Sequence, residues 1–160
     1  MPEPTNRRAV CQLCFAEQLL VWGTRTWLTG PDGRARLQAE LMRALGTAEG
    51  HATAAALGAF ADVLDSAALR TIYIGPMTCR MVWPDEERIL AVIHYLQSDL
   101  PDAAEHVLEP VLPPAARRAA LQQAELLAGS LADAGYRIGF DGPLAPELAA
   151  ALPRLGPTIH

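Results

Sequence analysis

Apolar residues recur with a helical period along the first part of the chain, between Asn6 and Leu28. With successive residues placed 100° apart, only a narrow polar strip through Arg7, Gln18 and Arg25 interrupts the apolar circumference. A helix that is apolar on most sides packs against several neighbours, so the pattern predicts a long central helix over 6–28. Its densest stripe comprises Ala9, Leu13, Ala16, Leu20 and Trp27.

The same period predicts the remaining helices, several of which have proline near the start or glycine just after the end. They span about residues 34–45, 48–65, 84–97, 102–112 and 113–135. Five to seven helices joined by short connections indicate an all-α fold, a single-domain helical bundle.

One segment, residues 70–76, does not follow the helical period. Thr71–Ile74 consists of β-favouring residues, but the chain offers no convincing second strand to pair with them. We therefore predict a short extended connector near residues 70–76 whose apolar side chains cover the bundle. The helical domain is predicted over residues 1–138, followed by a Gly/Pro-rich C-terminal tail over 139–160 with a candidate short helix at 146–152.

Length and composition set the broad class of protein. A chain of 160 residues, 51% hydrophobic and 19% charged, has the size and balance of one globular domain. No apolar run approaches the roughly 20 residues that span a bilayer, and the N-terminus shows no secretory signal. Because the cysteines number three, we expect reduced thiols and a cytoplasmic location. Abundant alanine and the absence of lysine are typical of GC-rich bacterial coding.

The charge distribution argues against nucleic acid as a partner. The net charge is −5; residues 1–45 carry +2 and the remainder −7. A stretch resembling a helix-turn-helix, residues 41–57, has no Arg, Lys, Asn or Gln over 50–56, where base-reading side chains belong. We expect the partner to be a protein.

Cys11 and Cys14 stand three residues apart within the predicted first helix. At that spacing two thiols share a helix face, so they form a candidate redox pair or half of a metal site. Zinc needs two further ligands, and the chain has no second Cys-x-x-Cys and no His-x-x-x-His. We favour the interpretation that both are small packing residues, and we predict no cofactor.

Residues 75–84 form the most unusual stretch in composition, an irregular loop just ahead of an acidic helix start. Loops held by a rigid scaffold concentrate binding residues, and Met, Arg and Trp are enriched at interfaces. The interpretation that we favour for the loop itself is an apolar segment that plugs one end of the bundle, and binding is the other interpretation. The candidate partner- or ligand-binding residues are Met77, Cys79, Arg80, Met81 and Trp83.

The helix predicted from Pro84 begins with three acidic residues, Asp85, Glu86 and Glu87. Successive helix residues point about 100° apart, so the three carboxylates cannot converge on one ion. We attribute them to the favourable interaction of negative charge with a helix N-terminus. The chain also lacks His-Glu-x-x-His, Gly-x-Ser-x-Gly and phosphate-binding loop motifs. No catalytic residue is predicted, and the sequence favours a non-enzymatic role.

These observations lead us to expect a non-catalytic cytoplasmic helical protein of the adaptor or regulatory type. It would act through protein–protein interaction or self-association. The alternative is a sensor or carrier of a small molecule, haem or metal, with a pocket between helices. For that alternative, the candidate pocket residues are Phe15, Trp22, Trp27 and Tyr95, with Cys79 or His94 reaching the ligand.

Overall fold

The computed structural model describes residues 7–139, so nearly all of the predicted tail, including the candidate helix at 146–152, lies outside the described residues. Over the described range the chain is an all-α, single-domain helical bundle, as predicted. A 3-10 helix at Val10–Gln12 precedes six α-helices in this range. They are α1 (Phe15–Trp27), α2 (Pro31–Leu45), α3 (Thr47–Ala67), α4 (Pro84–Gln97), α5 (Pro101–Leu108) and α6 (Pro114–Asp133).

The bundle is organised around α3, which packs most extensively against α6 and α2. Its glycines allow close approach by these and other neighbours. A Cβ added at Gly50 would lie 2.3 Å from the Cα of Met42, and one added at Gly58 would lie 2.3 Å from the ring of Trp27. The prediction that the first helix is the central one is wrong in this respect, although α1 contacts α2, α3 and α4.

The predicted helix over 6–28 is also wrong in its first half, because α1 begins only at Phe15. The residue before it, Cys14, is extended, with φ −68° and ψ 166°. The N–H of Cys14 donates to the carboxylate of Glu17 at 2.9 Å, and this hydrogen bond caps the N-terminus of α1. Sequence periodicity does not reveal this interruption of the helix, because the helical spacing of apolar residues continues across it.

Main-chain pairing with a distant segment holds the residues ahead of α1. The N–H of Val10 donates to the carbonyl of Arg80 at 2.8 Å, and the N–H of Val82 donates to that of Arg8 at 3.0 Å. These bonds flank an isolated antiparallel bridge between Ala9 and Met81. The start of the described chain is thus tied to the loop that precedes α4.

The remaining boundaries lie close to the predicted ones. Both α4 and α6 begin at the predicted prolines, whereas α2 begins three residues early because Pro31 suits the first helical position. The connector at 70–76 is extended, as predicted, and no strand pairs with it in the described part of the chain. No helix within residues 7–139 has the length and apolarity needed to cross a membrane.

Candidate functional site

The first turn of α4 carries three successive carboxylates, and each contacts a different part of the chain. Asp85 pairs with Arg70 at 2.8 Å, and Glu87 pairs with Arg8 at 2.6 Å. Glu86 is buried between them. The carboxylates do not converge, as expected from their angular spacing. The interpretation that the helix N-terminus fully explains them is wrong, because each has an arginine partner.

Arg25 and Glu86 form a buried ion pair between α1 and α4. Arg25 Nε donates to Oε1 of Glu86 at 2.6 Å and Nη2 donates to Oε2 at 2.8 Å. The two side chains are 4% and 1% exposed. The hydrogen bond from Arg25 to Glu86 raises the pKa of Arg25, against the opposing effect of burial. The predicted polar strip through Arg25 is therefore wrong, because this guanidinium lies in the core beside its partner.

The same guanidinium fixes the loop at 75–83. Nη1 of Arg25 donates to the carbonyl of Cys79 at 2.6 Å, and Nη2 donates to that of Met81 at 2.8 Å. The side chain of Val82 is buried in the core. This part of the loop seals the bundle, in agreement with the plug interpretation. The loop is thus attached to a rigid frame rather than free in solvent.

The five predicted binding residues have different environments on this frame. Met77 and Arg80 are exposed, whereas Cys79, Met81 and Trp83 are half-buried. Part of the loop therefore contributes to the core and part is accessible to a partner. A binding role for these residues stays a prediction.

The thiol of Cys79 accepts a hydrogen bond from the indole Nε1 of Trp83 at 3.3 Å. This bond lowers the pKa of Cys79, and the positive charge of Arg25 acts in the same direction. The guanidinium of Arg7 lies over the Trp83 ring, 5.2 Å from its centroid. Trp83 thus links the thiol to the first described residue of the chain.

We expect Trp83→Phe to move the pKa of Cys79 up toward its ordinary value, because phenylalanine keeps a ring but has no N–H donor. The measurement is the pH dependence of iodoacetamide alkylation at Cys79, followed by mass spectrometry. In the variant, the midpoint of this curve should lie at higher pH than in the wild type. Trp22→Phe is the matched control and should leave the midpoint unchanged; equal midpoints in all three proteins would contradict the assigned hydrogen bond.

Cys11 and Cys14 do not share a helix face, contrary to prediction. Cys11 lies in the 3-10 helix and Cys14 in the extended residue before α1. Both are exposed, so the interpretation as packing residues is also wrong. Within residues 7–139, no group of three or more His, Cys, Asp or Glu side chains is arranged to hold a metal ion. A redox or metal role for this pair stays a prediction.

The candidate aromatic pocket is not assembled as one site. Phe15 and Trp27 are the first and last residues of α1, which places them about 18 Å apart along its axis. Phe15 packs against Tyr136, with ring centroids 5.4 Å apart, whereas the indole of Trp27 donates to Asp62 at 3.1 Å. A single pocket between helices cannot be lined by both ends of α1.

The connector is held along one edge by carboxylates of α4. The N–H of Tyr73 donates to Asp85 at 2.7 Å, and the N–H of Gly75 donates to Glu86 at 3.1 Å. Both carboxylates are buried, so the connector is fixed against the bundle without a neighbouring strand. Its extended form thus depends on side chains that are distant in sequence.

An apolar groove runs beside the connector, past the C-terminal ends of α1 and α3. Its inner part is a pocket of about 180 Å³ and its outer part a shallower one of about 290 Å³; the two share Leu28 and Ile74. Two large apolar side chains that line it are exposed: Leu28 at 46% and Met77 at 39%. We call the groove together with Leu28 and Met77 the connector face.

Of these two exposed residues, only Met77 was among the predicted binding residues. Leu28 was assigned to the apolar part of the first predicted helix. The run of β-favouring residues Thr71–Ile74, for which no partner strand was found, is the signal that points to this surface.

The chain was compared with protein families, curated proteins and solved structures. No protein-family model, no curated protein and no solved structure matches the chain significantly. The all-α fold and the connector face are therefore described from the chain's own geometry.

Proposed function

We propose that this protein acts without catalysis, by binding another protein through the connector face. The observation that carries the proposal is the exposure of Leu28 and Met77 on the apolar groove that they line. Contiguous exposed apolar surface of this kind marks interaction sites in otherwise polar protein surfaces. We assign the protein to the cytoplasm, because an odd number of cysteines favours reduced thiols over a disulfide framework.

The rigidity of the connector face supports this function. Arg25 and Glu86 fix the neighbouring loop and connector from within the core. A surface held in its binding conformation loses little conformational entropy when a partner arrives.

The size of the groove favours a protein over an enclosed small molecule. Ligand pockets measure about 300–1,000 Å³ and bury most of the ligand surface. The inner pocket of the connector face, at about 180 Å³, lies below that range, and the outer part is shallow. A side chain of a partner is of suitable size for the inner pocket, with the surrounding apolar residues contacting the rest.

We expect a photoreactive benzoylphenylalanine at position 77, which lines the outer part of the groove, to cross-link a discrete partner in an extract of the organism that makes the protein. The matched control carries the same group at Leu126, which is 60% exposed on α6 and lines neither part of the groove. Cross-linking from position 77 alone supports the proposal. No cross-link, or equal cross-linking from both positions, would contradict it.

Binding measurements with the identified partner complete the same experiment. Met77→Ala should weaken binding by more than about 1 kcal/mol, and Leu126→Ala should leave it unchanged. Arg80→Ala, on the exposed part of the loop, shows whether the connector face extends to the predicted loop residues. Light scattering during size-exclusion chromatography distinguishes a second copy of this chain from a different protein.

A further inference from the structure

We infer that the connector binds an extended peptide of another protein by strand addition, along the free main-chain edge of Ile72 and Ile74. This inference rests on the proposed function, and it specifies the conformation and chemistry of the partner. Strand addition uses main-chain hydrogen bonds for affinity and side-chain pockets for specificity. The connector offers both.

The main-chain hydrogen bonds of the connector alternate between two edges. On the inner edge, the carbonyl of Thr71 accepts from Arg70 at 2.7 Å, and the N–H groups of Tyr73 and Gly75 donate to buried carboxylates. In an extended chain, residues two apart present their N–H and C=O groups to the same edge. The residues between them, Ile72 and Ile74, therefore present theirs to the opposite, outer edge.

Within the described part of the chain, no main-chain group pairs with the outer edge. Neither Ile72 nor Ile74 makes a main-chain hydrogen bond to any residue within 7–139. Two N–H donors and two C=O acceptors are thereby left at the spacing that an added strand requires. Proteins often protect such an edge with lysine, and Thr71–Gly75 contains none.

The groove determines which side chains the peptide carries. Ile72 and Ile74 line the inner pocket, so alternate side chains of an added strand lie over the same apolar surface. Asp65 also lines this pocket; it is exposed and forms no ion pair within residues 7–139. Charge complementarity then calls for a basic residue. The partner segment is an extended peptide with apolar residues at every second position and one Lys or Arg.

The probe is a phage-displayed library of random nine-residue peptides, selected on the folded protein. We expect the selected peptides to share apolar residues with a period of two and one basic residue, and to compete with one another for the connector face. Asp65→Asn should weaken the selected peptides severalfold and reduce their salt dependence. Asp62→Asn is the matched control, since Asp62 pairs with Arg34 and does not line this pocket.

N-methylated synthetic versions of a selected peptide test the main-chain bonds directly. Methylation at the alternate residues whose N–H groups face the connector should weaken binding about tenfold or more, and methylation at the intervening residues less than about twofold. Equal sensitivity in both registers would overturn strand addition, as would selection of peptides with a helical spacing of three and four. If peptides with helical spacing are selected, competition at Met77 would still support the proposed function. Failure to select any peptide, or displacement of the peptide by a second copy of this chain, would also overturn the inference.

Discussion

Arg25→Met should destabilise the protein by about 3–5 kcal/mol, because it leaves Glu86 as a buried charge without a counter-ion. The substitution keeps most of the side-chain volume but removes the guanidinium that pairs with Glu86 and holds the carbonyls of the loop. For a domain whose total stability is about 5–15 kcal/mol, this is a large fraction. Urea unfolding followed by circular dichroism measures the loss.

Two further variants distinguish the effect of breaking the buried ion pair from the effect of removing any arginine. Arg25→Met combined with Glu86→Gln should recover part of the stability, since the double variant buries no unpaired charge. Arg43→Met removes an arginine whose only ion-pair partner, among residues 7–139, is Glu40 on the surface, and it should leave the unfolding midpoint unchanged. An Arg25→Met protein as stable as the wild type would show that Glu86 is not held in a desolvated site.

Leu20→Ala should cost about 2–5 kcal/mol of the free energy of unfolding. Leu20 is buried in α1 beside Glu86, Ile89 and Leu90 of α4, so truncation removes apolar contacts and leaves a cavity at the junction of the two helices. The cost rises with the volume of the cavity that remains after the neighbours relax. The same urea titration measures it.

Leu126→Ala is the matched control for this truncation. It makes the same chemical change at an exposed position of α6, and it should alter stability by no more than about 0.5 kcal/mol. Similar losses in the two variants would contradict the burial of Leu20 between α1 and α4. A loss confined to Leu20→Ala confirms this part of the core.

Local sequence signals predicted most of the helical architecture. Pro84 and Pro114 mark helix starts because their missing N–H groups need no partner in the first turn. Gly46 and Gly135 mark helix ends because their backbones adopt positive φ, 92° and 84°, which other residues rarely do. Such signals act over a few residues and are visible in the sequence alone.

Contacts between distant segments account for the parts that the sequence did not predict. Arg25 and Glu86 are 61 positions apart, and a periodicity that places every charge in solvent assigns both to the surface. The helix start at Phe15 likewise depends on pairing of the preceding residues with Met81 and its neighbours. The connector face was missed for the same reason, because its groove exists only where α1, α3 and the connector meet.

Because α4 binds the main chain of the connector, much of the connector's sequence is open to evolutionary change. Asp85 and Glu86 bind main-chain N–H groups of Tyr73 and Gly75, which every residue except proline supplies. Gly75 itself is constrained, because an added Cβ would lie 2.7 Å from Trp83 and 2.8 Å from the guanidinium of Arg25. At position 73, by contrast, mutation can exchange the exposed side chain while the anchoring main-chain bond persists.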